Sequence, residues 1–473
     1  MAEVPAAGPD GLAIDLSEPR SIHVVGIGGA GMSAIASVLA TMGHRVSGSD
    51  LKESAGLNAL RGQGIDVSVP HDAANVGVVE AVAVSTAIPE RNPERRAAVE
   101  RGIPVLSRAA ILAAIASTRR TVAVSGTHGK TTTSSMLSLV LVEAGLRPSF
   151  IVGGELNEIG TGAVWDDGEW FVVEADESDG TFIELGAEVA VVTNVEADHL
   201  DFYGDLSGVE AAFDRFLADA PGPNLVCADD PGARRLGAVH GAVTYGTAKD
   251  ADYRIVDPVV GRVGSTFGLV HDGERLGDIR LPIPGLHNIR NATAALVAGM
   301  LVGAPFQSGR DAMARYAGVV RRYQFRGEVD GVTVVDDYAH NPGKVAAAVS
   351  TAAQGGWDRV VVVFQPHRYS RTEDLWQDFH SSFTGADLTV VTDVYPAGEA
   401  PRPGVTGHLV VDAIRSAHPD QAVEWVQQRA DVVPFLVGRL RAGDLCMTLG
   451  AGDITSLPDE LLDALARRPG LPA

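Results

Sequence analysis

Short apolar β-type runs alternate with helical patterns along most of the chain, and this rhythm predicts its elements. I-H-V-V-G-I starts at Ile22, a helical pattern covers residues 33–42, and R-V-S-G-S-D follows. Further β runs lie at residues 81–85 and around 104–106, then at 171–174 and 189–193. A last group lies at 332–335, 360–364, 388–392 and 445–449. Strands spaced by helical patterns imply parallel sheets with helices on both faces, an α/β class. The irregular stretch of about 224–282, with a turn at His271-Asp272-Gly273-Glu274, predicts appended antiparallel strands. T-R-R at 118–120 reads as a linker or domain entry before the phosphate loop, and residues 1–20 as a loose acidic tail.

Bulk numbers narrow the class. The chain has 473 residues, too many for one core, and the length prior suggests roughly three domains. A net charge of −22 argues against nucleic acid as a partner, since a phosphate backbone needs a basic footprint. Two distant cysteines, Cys227 and Cys446, form neither a disulfide framework nor a zinc cluster, which suits a reducing cytoplasm. No stretch approaches the ~18 apolar residues of a membrane span, so no membrane insertion is expected.

The candidate chemistry sits at strand ends. V-A-V-S-G-T-H-G-K-T-T-T (122–133) ends a β run in a glycine loop and opens an apolar helix. Such a turn aims backbone N–H groups at phosphates; Lys130 would reach the terminal phosphates, and the Thr131 hydroxyl would sit where Mg²⁺ is held. Val124 stands where a full Walker spacing wants glycine, so the loop is a compact variant. G-I-G-G-A-G (26–31) follows the first strand, and Asp50 ends the second. This pattern reads a pyrophosphate and a ribose: NAD is the default ligand, and a UDP-sugar offers both groups. E-A-D-E-S-D (174–179) gathers carboxylates that call for a cation. Glu174, at the end of its strand, is the best metal ligand, whereas Glu177 and Asp179 taken singly read as solvated. T-N-V-E-A-D-H-L-D (193–201) brings His199, which alone reads as a surface or capping histidine but beside the other strand ends could ligate a second metal. In G-L-H-N-I-R-N (285–291), Asn288 and Asn291 could face an adenine edge or simply cap a helix. D-D-Y-A-H-N-P (336–342) and F-Q-P-H-R-Y-S-R-T (364–372) place acids, histidines and arginines past buried strands, where they could grip carboxylates or phosphates.

Taken together, and with G-I-G-G-A-G-M-S (26–33), these segments resemble the Mur ligases, in order from about residue 22 to 455, and within them the alanine-adding branch. The resemblance implies a three-domain architecture: a tail (1–20), a Rossmann-like UDP-sugar domain (21–117), a central P-loop ATPase domain (118–317) and a Rossmann-like C-terminal domain (318–473). It implies ATP-dependent ligation of L-alanine to UDP-N-acetylmuramate through an acyl phosphate, with Mg²⁺, in a cytoplasmic monomer or weak dimer. By matching position it places Gly126, Thr127, His128, Gly129, Lys130, Thr131 and Thr132 on the ATP phosphates, and Thr131, Glu174 and His199 on metal. His287, Asn288 and Asn291 would frame adenine, Arg322 the γ-phosphate and Asp337 the ATP ribose. Tyr338, His340, His367, Arg368 and Arg371 would shape the acyl-phosphate and amino-acid end. Gly28, Gly29, Ala30, Gly31, Met32, Ser33, Asp50, His71 and Ser85 would hold the UDP-sugar.

Two departures stand out. Asn341 stands where the family often has a second histidine, and no lysine occurs between Lys130 and Lys249 to carry the carbamate of sister ligases. The rival readings are a recycling ligase that attaches a tripeptide to the same sugar, an NAD-dependent oxidoreductase fused to a P-loop module, and an ATP-driven regulatory protein that performs no ligation.

Overall fold

A computed structural model describes residues 14–85, 87–262, 264–319, 321 and 323–468. Two compact units result: one from residues up to 257 with 267–280 and 287–316, the other from 258–266, 281–286 and 317 onward.

The first unit opens with a five-stranded parallel sheet of β1 (Ser21–Val25), β2 (Arg45–Ser49), β3 (Asp66–Ser68), β4 (Ala81–Val84) and β5 (Val105–Ser107), in order β3-β2-β1-β4-β5. The order reverses beside β1, which is where a doubly wound sheet opens its ligand crevice. A second, ten-stranded sheet starts with β6 (Arg120–Ser125), β7 (Ser149–Leu156), β8 (Thr161–Val164), β9 (Trp170–Glu174) and β10 (Val189–Val192). It continues through β11 (Leu225–Cys227), β12 (Val243–Gly246), β13 (Tyr253–Val260), β14 (Ser265–His271) and β15 (Glu274–Leu281). β6 lies between β10 and β9, parallel to both, so three strand ends with candidate chemistry share one edge. The β14–β15 hairpin turns through Asp272 and Gly273, both at positive φ, as a tight two-residue turn demands.

Of the two readings of 118–120, linker or domain entry, the linker falls for Arg120. Arg120 already begins β6, pairs with Trp170 and lays its guanidinium 4.1 Å from that ring. One apolar core runs from Ile22 through Ile111 and Phe171 to Val226, so the first two sheets share packing. The tail reading is also narrowed. Leu16 is buried in this core and Arg20 pairs with Glu80, while residues 1–13 lie outside the described residues.

The second unit carries β16 (Gln324–Val329), β17 (Val332–Asp337), β18 (Arg359–Phe364), β19 (Leu388–Val391), β20 (Val423–Trp425) and β21 (Asp444–Leu449), in order β16-β17-β21-β18-β19-β20. β16 pairs antiparallel and the others parallel. The period of two shows directly in β18: Val360, Val362 and Phe364 enter one core, Val361 and Val363 the opposite one. Helices cover both faces, which explains the unbroken apolar run. Among the described residues, no helix is long and apolar enough to cross a membrane.

Candidate functional site

Val124 explains the compact glycine loop. It is fully buried in β6 between Val191 and Glu174, so the turn begins only at Gly126. Gly126 has φ +136°, and a β-carbon there would lie 2.1 Å from Thr193 Oγ1. Gly129, at φ +84°, is the N-cap of the Lys130–Glu143 helix; a β-carbon would lie 2.5 Å from Asn291 Oδ1. Both positions therefore need glycine. The loop is tied to the 193–196 segment: His128 N–H donates to Asn194 Oδ1 at 2.8 Å, and Glu196 N–H to Thr127 Oγ1 at 3.0 Å. His128 Nε2 lies 3.5 Å from Glu196 Oε2. Thr132 turns its carbonyl to Ser135 Oγ at 2.8 Å.

Lys130 folds back over the loop. Its Nζ donates to Gly126 O at 2.8 Å and sits 2.9 and 2.7 Å from the two carboxylate oxygens of Glu177. Glu177 is buried, which corrects its reading as a solvated loop acid. Burial pushes its carboxyl pKa up, and the Lys130 ammonium only partly offsets this. Beside the pair, Thr131 Oγ1 donates to Glu174 Oε1 at 2.9 Å, and Gly153 N–H to Glu174 Oε2 at 2.7 Å. His199, at φ +54°, puts Nε2 3.9 Å from Glu177 Oε1 and 3.8 Å from Asp198 Oδ2. Among the described residues, no cluster of three or more His, Cys, Asp or Glu is arranged for a metal. A hydroxyl and one carboxylate instead match Mg²⁺, which binds few protein ligands and completes its shell with water and substrate phosphate.

The adenine set divides. His287 is exposed at the head of the Leu286–Leu301 helix, while Asn288 and Asn291 are buried. Asn291 lies against the phosphate loop: a β-carbon on Gly129 would meet its Oδ1 at 2.5 Å. A pair missed in the sequence holds this helix: Arg290 Nε donates to Asp229 Oδ2 at 2.7 Å, and Asp229 also accepts the Thr247 and Ala248 N–H groups. D-D-P after a β run was the available signal.

At the first sheet, Gly26 has φ +77° and Gly29 caps the Ala30–Thr41 helix without a side-chain bond. Gly28 N–H donates to Asp50 Oδ2 at 2.8 Å and Leu51 N–H to Oδ1 at 2.7 Å, so Asp50 braces the glycine loop. Ser33 Oγ donates to Ala30 O at 3.0 Å. The Met32 side chain lies in the core, which leaves its backbone, in the first turn of that helix, to face a ligand. Ser85 Oγ accepts Ala87 N–H at 3.3 Å. His71 Nδ1 lies 2.8 Å from Ser49 Oγ and 3.2 Å from Glu94 Oε2. Glu94, unmarked in the sequence, is fully buried. Burial pushes its carboxyl up, but bonds from His23, Ser49, Asn75 and the Asp72 N–H outweigh it and bring the pKa to about 2.

In the second unit, Asp337 accepts Tyr323 N–H at 2.8 Å and Ala339 N–H at 2.7 Å. Arg322 lies outside the described residues. The Arg321 guanidinium sits 5.1 Å from the Tyr338 ring. His340 and His367 lie 5.7 Å apart, and His367 stacks on Tyr395 at 5.8 Å. His340 Nδ1 donates to Tyr338 O at 2.8 Å; Arg371 Nη1 donates to His367 Nδ1 at 3.0 Å. Burial pushes the His340 pKa down to about 3, and burial with Arg371 and Arg368 pushes His367 down to about 4. Both rings are neutral near pH 7. Burial also lowers the pKa of Arg371, and Arg368 is exposed at φ +69°.

A phosphate loop with a lysine, a hydroxyl–carboxylate pair and a separate basic-histidine unit define a class, and comparison with known proteins agrees. The chain matches the models of the Mur ligase family, catalytic domain (21–120), the Mur ligase middle domain (124–299) and the Mur ligase, glutamate ligase domain (321–452). It belongs to the Mur ligase family. Two relatives are UDP-N-acetylmuramate–L-alanine ligases: that of Acidothermus cellulolyticus is 47% identical, covering 94% of this chain and 95% of the relative. That of Myxococcus xanthus is 43% identical, covering 95% and 96%. The crystal structure of UDP-N-acetylmuramate-alanine ligase from Thermotoga maritima matches with TM-score 0.78 at 28% identity, covering 94% of this chain and 98% of that one. A murein peptide ligase from Psychrobacter arcticus, at 22% identity and TM-score 0.68 over 96% of this chain and 100% of that one, shows the fold alone. The oxidoreductase reading falls, because the first sheet belongs to the same family match as the rest.

Proposed function

We propose that this chain ligates L-alanine to the muramic acid carboxylate of UDP-N-acetylmuramate with ATP, giving UDP-N-acetylmuramoyl-L-alanine, ADP and phosphate for peptidoglycan precursors. The curated relatives named for this reaction, similar over nearly the whole chain, support it. The observation that carries the chemistry is the Thr131–Glu174 contact beside the Lys130–Glu177 pair at adjoining strand ends. A carboxylate resists amines until one of its oxygens becomes a leaving group. Its oxygen attacks the γ-phosphorus, the bond to ADP breaks, and an acyl phosphate forms. The alanine nitrogen then attacks the acyl carbon and loses its proton, and phosphate departs.

The residues divide this work. Lys130 exchanges Glu177 for the terminal phosphates, and the N–H groups opening the Lys130–Glu143 helix cradle them. Thr131 and Glu174 would hold Mg²⁺, with His199 a ligand of a second ion. Bound there, the metal would neutralise charge on the transferring phosphoryl group. Neutral His340 and His367 with Arg371 suit an amino-acid carboxylate or acyl phosphate, and their low pKa values make them weak bases for the amine. The UDP-sugar falls to 21–117, ATP to 118–317 and the amino-acid end to 318–473, in a cytoplasmic monomer or weak dimer.

The test is phosphate release from ATP with UDP-N-acetylmuramate and L-alanine, each omitted in turn. Release should require both, and alanine should appear in the sugar nucleotide. Release that ignores either substrate refutes the reading, and efficient use of a tripeptide in place of alanine favours the recycling ligase.

A further inference from the structure

Arg108 opens the Arg108–Ala116 helix. Its Nε is buried with no hydrogen-bond partner, and among the described residues no ion pair reaches it. The chain is acidic, at net charge −22, and arginines of the first unit such as Arg20, Arg61, Arg120 and Arg147 do meet a carboxylate. A half-buried, unpaired cation costs free energy unless an anion joins it. Its surroundings indicate which anion.

The guanidinium lies over Gly31: a β-carbon there would be 2.9 Å from Nε and 3.3 Å from Cζ. Gly31 belongs to the first turn of the Ala30–Thr41 helix, whose cap offers no side-chain acceptor and whose first turn has no acid. The opening N–H groups of that helix and the Arg108 fork therefore flank one place. On its other side Arg108 lines a cavity of about 190 Å³ with Glu174, Asp176, Ser178 and Asp179. Those carboxylates repel anions, so an anion bound by Arg108 belongs on the Gly31 side. A fork of donors over a helix N-terminus fits two phosphates better than one carboxylate.

We infer that Arg108 binds the diphosphate of the UDP-sugar, completing the glycine loop as an anion site from a separate helix. This rests on the UDP-N-acetylmuramate reading. The same side chain lines the cavity that holds Glu174.

The experiment measures binding of UDP-N-acetylglucosamine, which has the diphosphate but no lactyl carboxylate, and of UDP-N-acetylmuramate. Wild type is compared with Arg108→Gln, Arg108→Lys and Gly31→Ala. Arg108→Gln should weaken both ligands by the same factor, on the order of 10–100-fold, as loss of a charge-assisted fork does. Arg108→Lys should recover part of this. Gly31→Ala, whose methyl displaces the guanidinium, should mimic it without touching the arginine. ATP affinity, measured on the same samples, should stay within about twofold and serves as the control for folding. Weakening of UDP-N-acetylmuramate alone would move Arg108 to the lactyl carboxylate, and unchanged binding of both would make it structural; either overturns the inference. Wild type that binds neither sugar nucleotide would instead refute the substrate reading itself.

Discussion

Lys130→Met tests the Lys130–Glu177 pair, because it separates what the lysine does for ATP from what it does for folding. Glu177 is buried, and Lys130 Nζ lies 2.9 and 2.7 Å from its two oxygens. Removing the ammonium leaves a carboxylate in a site that already pushes its pKa up. Breaking a buried pair by deleting one partner costs about 3–5 kcal/mol. For a unit of about 300 residues, with an unfolding entropy of roughly 2.1 cal/mol/K per residue, that lowers the thermal midpoint by roughly 5–8 °C. The folded-state pKa of Glu177 is raised, so its protonated form is favoured at low pH. The deficit of the variant against wild type should therefore shrink as pH falls from 8 towards 5. Lys130→Met/Glu177→Gln removes the orphan charge and should recover most of the lost stability. Both variants should remain inactive, since neither can neutralise the terminal phosphates. Thermal unfolding at pH 8 and pH 5, with ATP turnover on the same preparations, reads all of this. A single variant as stable as wild type, or a double variant less stable than the single, refutes the pairing argument.

Other outcomes follow from the same geometry. Thr131→Val and Glu174→Gln should each lower kcat at least about 100-fold while leaving UDP-sugar binding unchanged, measured by Mg²⁺-dependent turnover and by calorimetry. Gly126→Ala should abolish ATP binding, because its methyl would fall 2.1 Å from Thr193 Oγ1 in a fluorescence-detected nucleotide titration. Asp229→Asn loosens the Arg290 clamp on the Leu286–Leu301 helix and should raise KM for ATP several-fold with a smaller change in kcat. His340 and His367 have folded-state pKa values of about 3 and 4, below their ordinary 6.5. The unfolded chain then binds more protons between those values, so this part of the second unit's stability is lost as pH falls below 6.5. The slope is at most ~1.4 kcal/mol per pH unit per ring. His367→Gln should flatten it in urea unfolding at pH 5 and 7.

The strands were legible because they are buried on both faces: V-V-V-V in β18 could satisfy its alternating positions only between two helical layers. The loop at Gly126 was legible for a similar reason, since both glycines are required by contacts to Thr193 and Asn291. Pairings across long separations were not. Glu177 looked like one acid among several until the fold carried Lys130 to it, 47 positions away. Glu94 gives no local signal, because its partners His23, Ser49 and His71 come from other strands and turns. Asn291 sat at helix spacing suited to a base edge, and its contact with Gly129 came into view only with the fold. Met32, beside the glycine loop in sequence, faces the core because the helix turns it inward.

The central claim is that the γ-phosphate goes to a carboxylate and not to water. Enzyme supplied with ATP, L-alanine and UDP-N-acetylmuramate labelled with oxygen-18 in its carboxylate decides it. The account predicts one labelled oxygen in each phosphate released, with alanine joined to the sugar nucleotide in equal amount. Phosphate free of label, formed at the same rate, would contradict it.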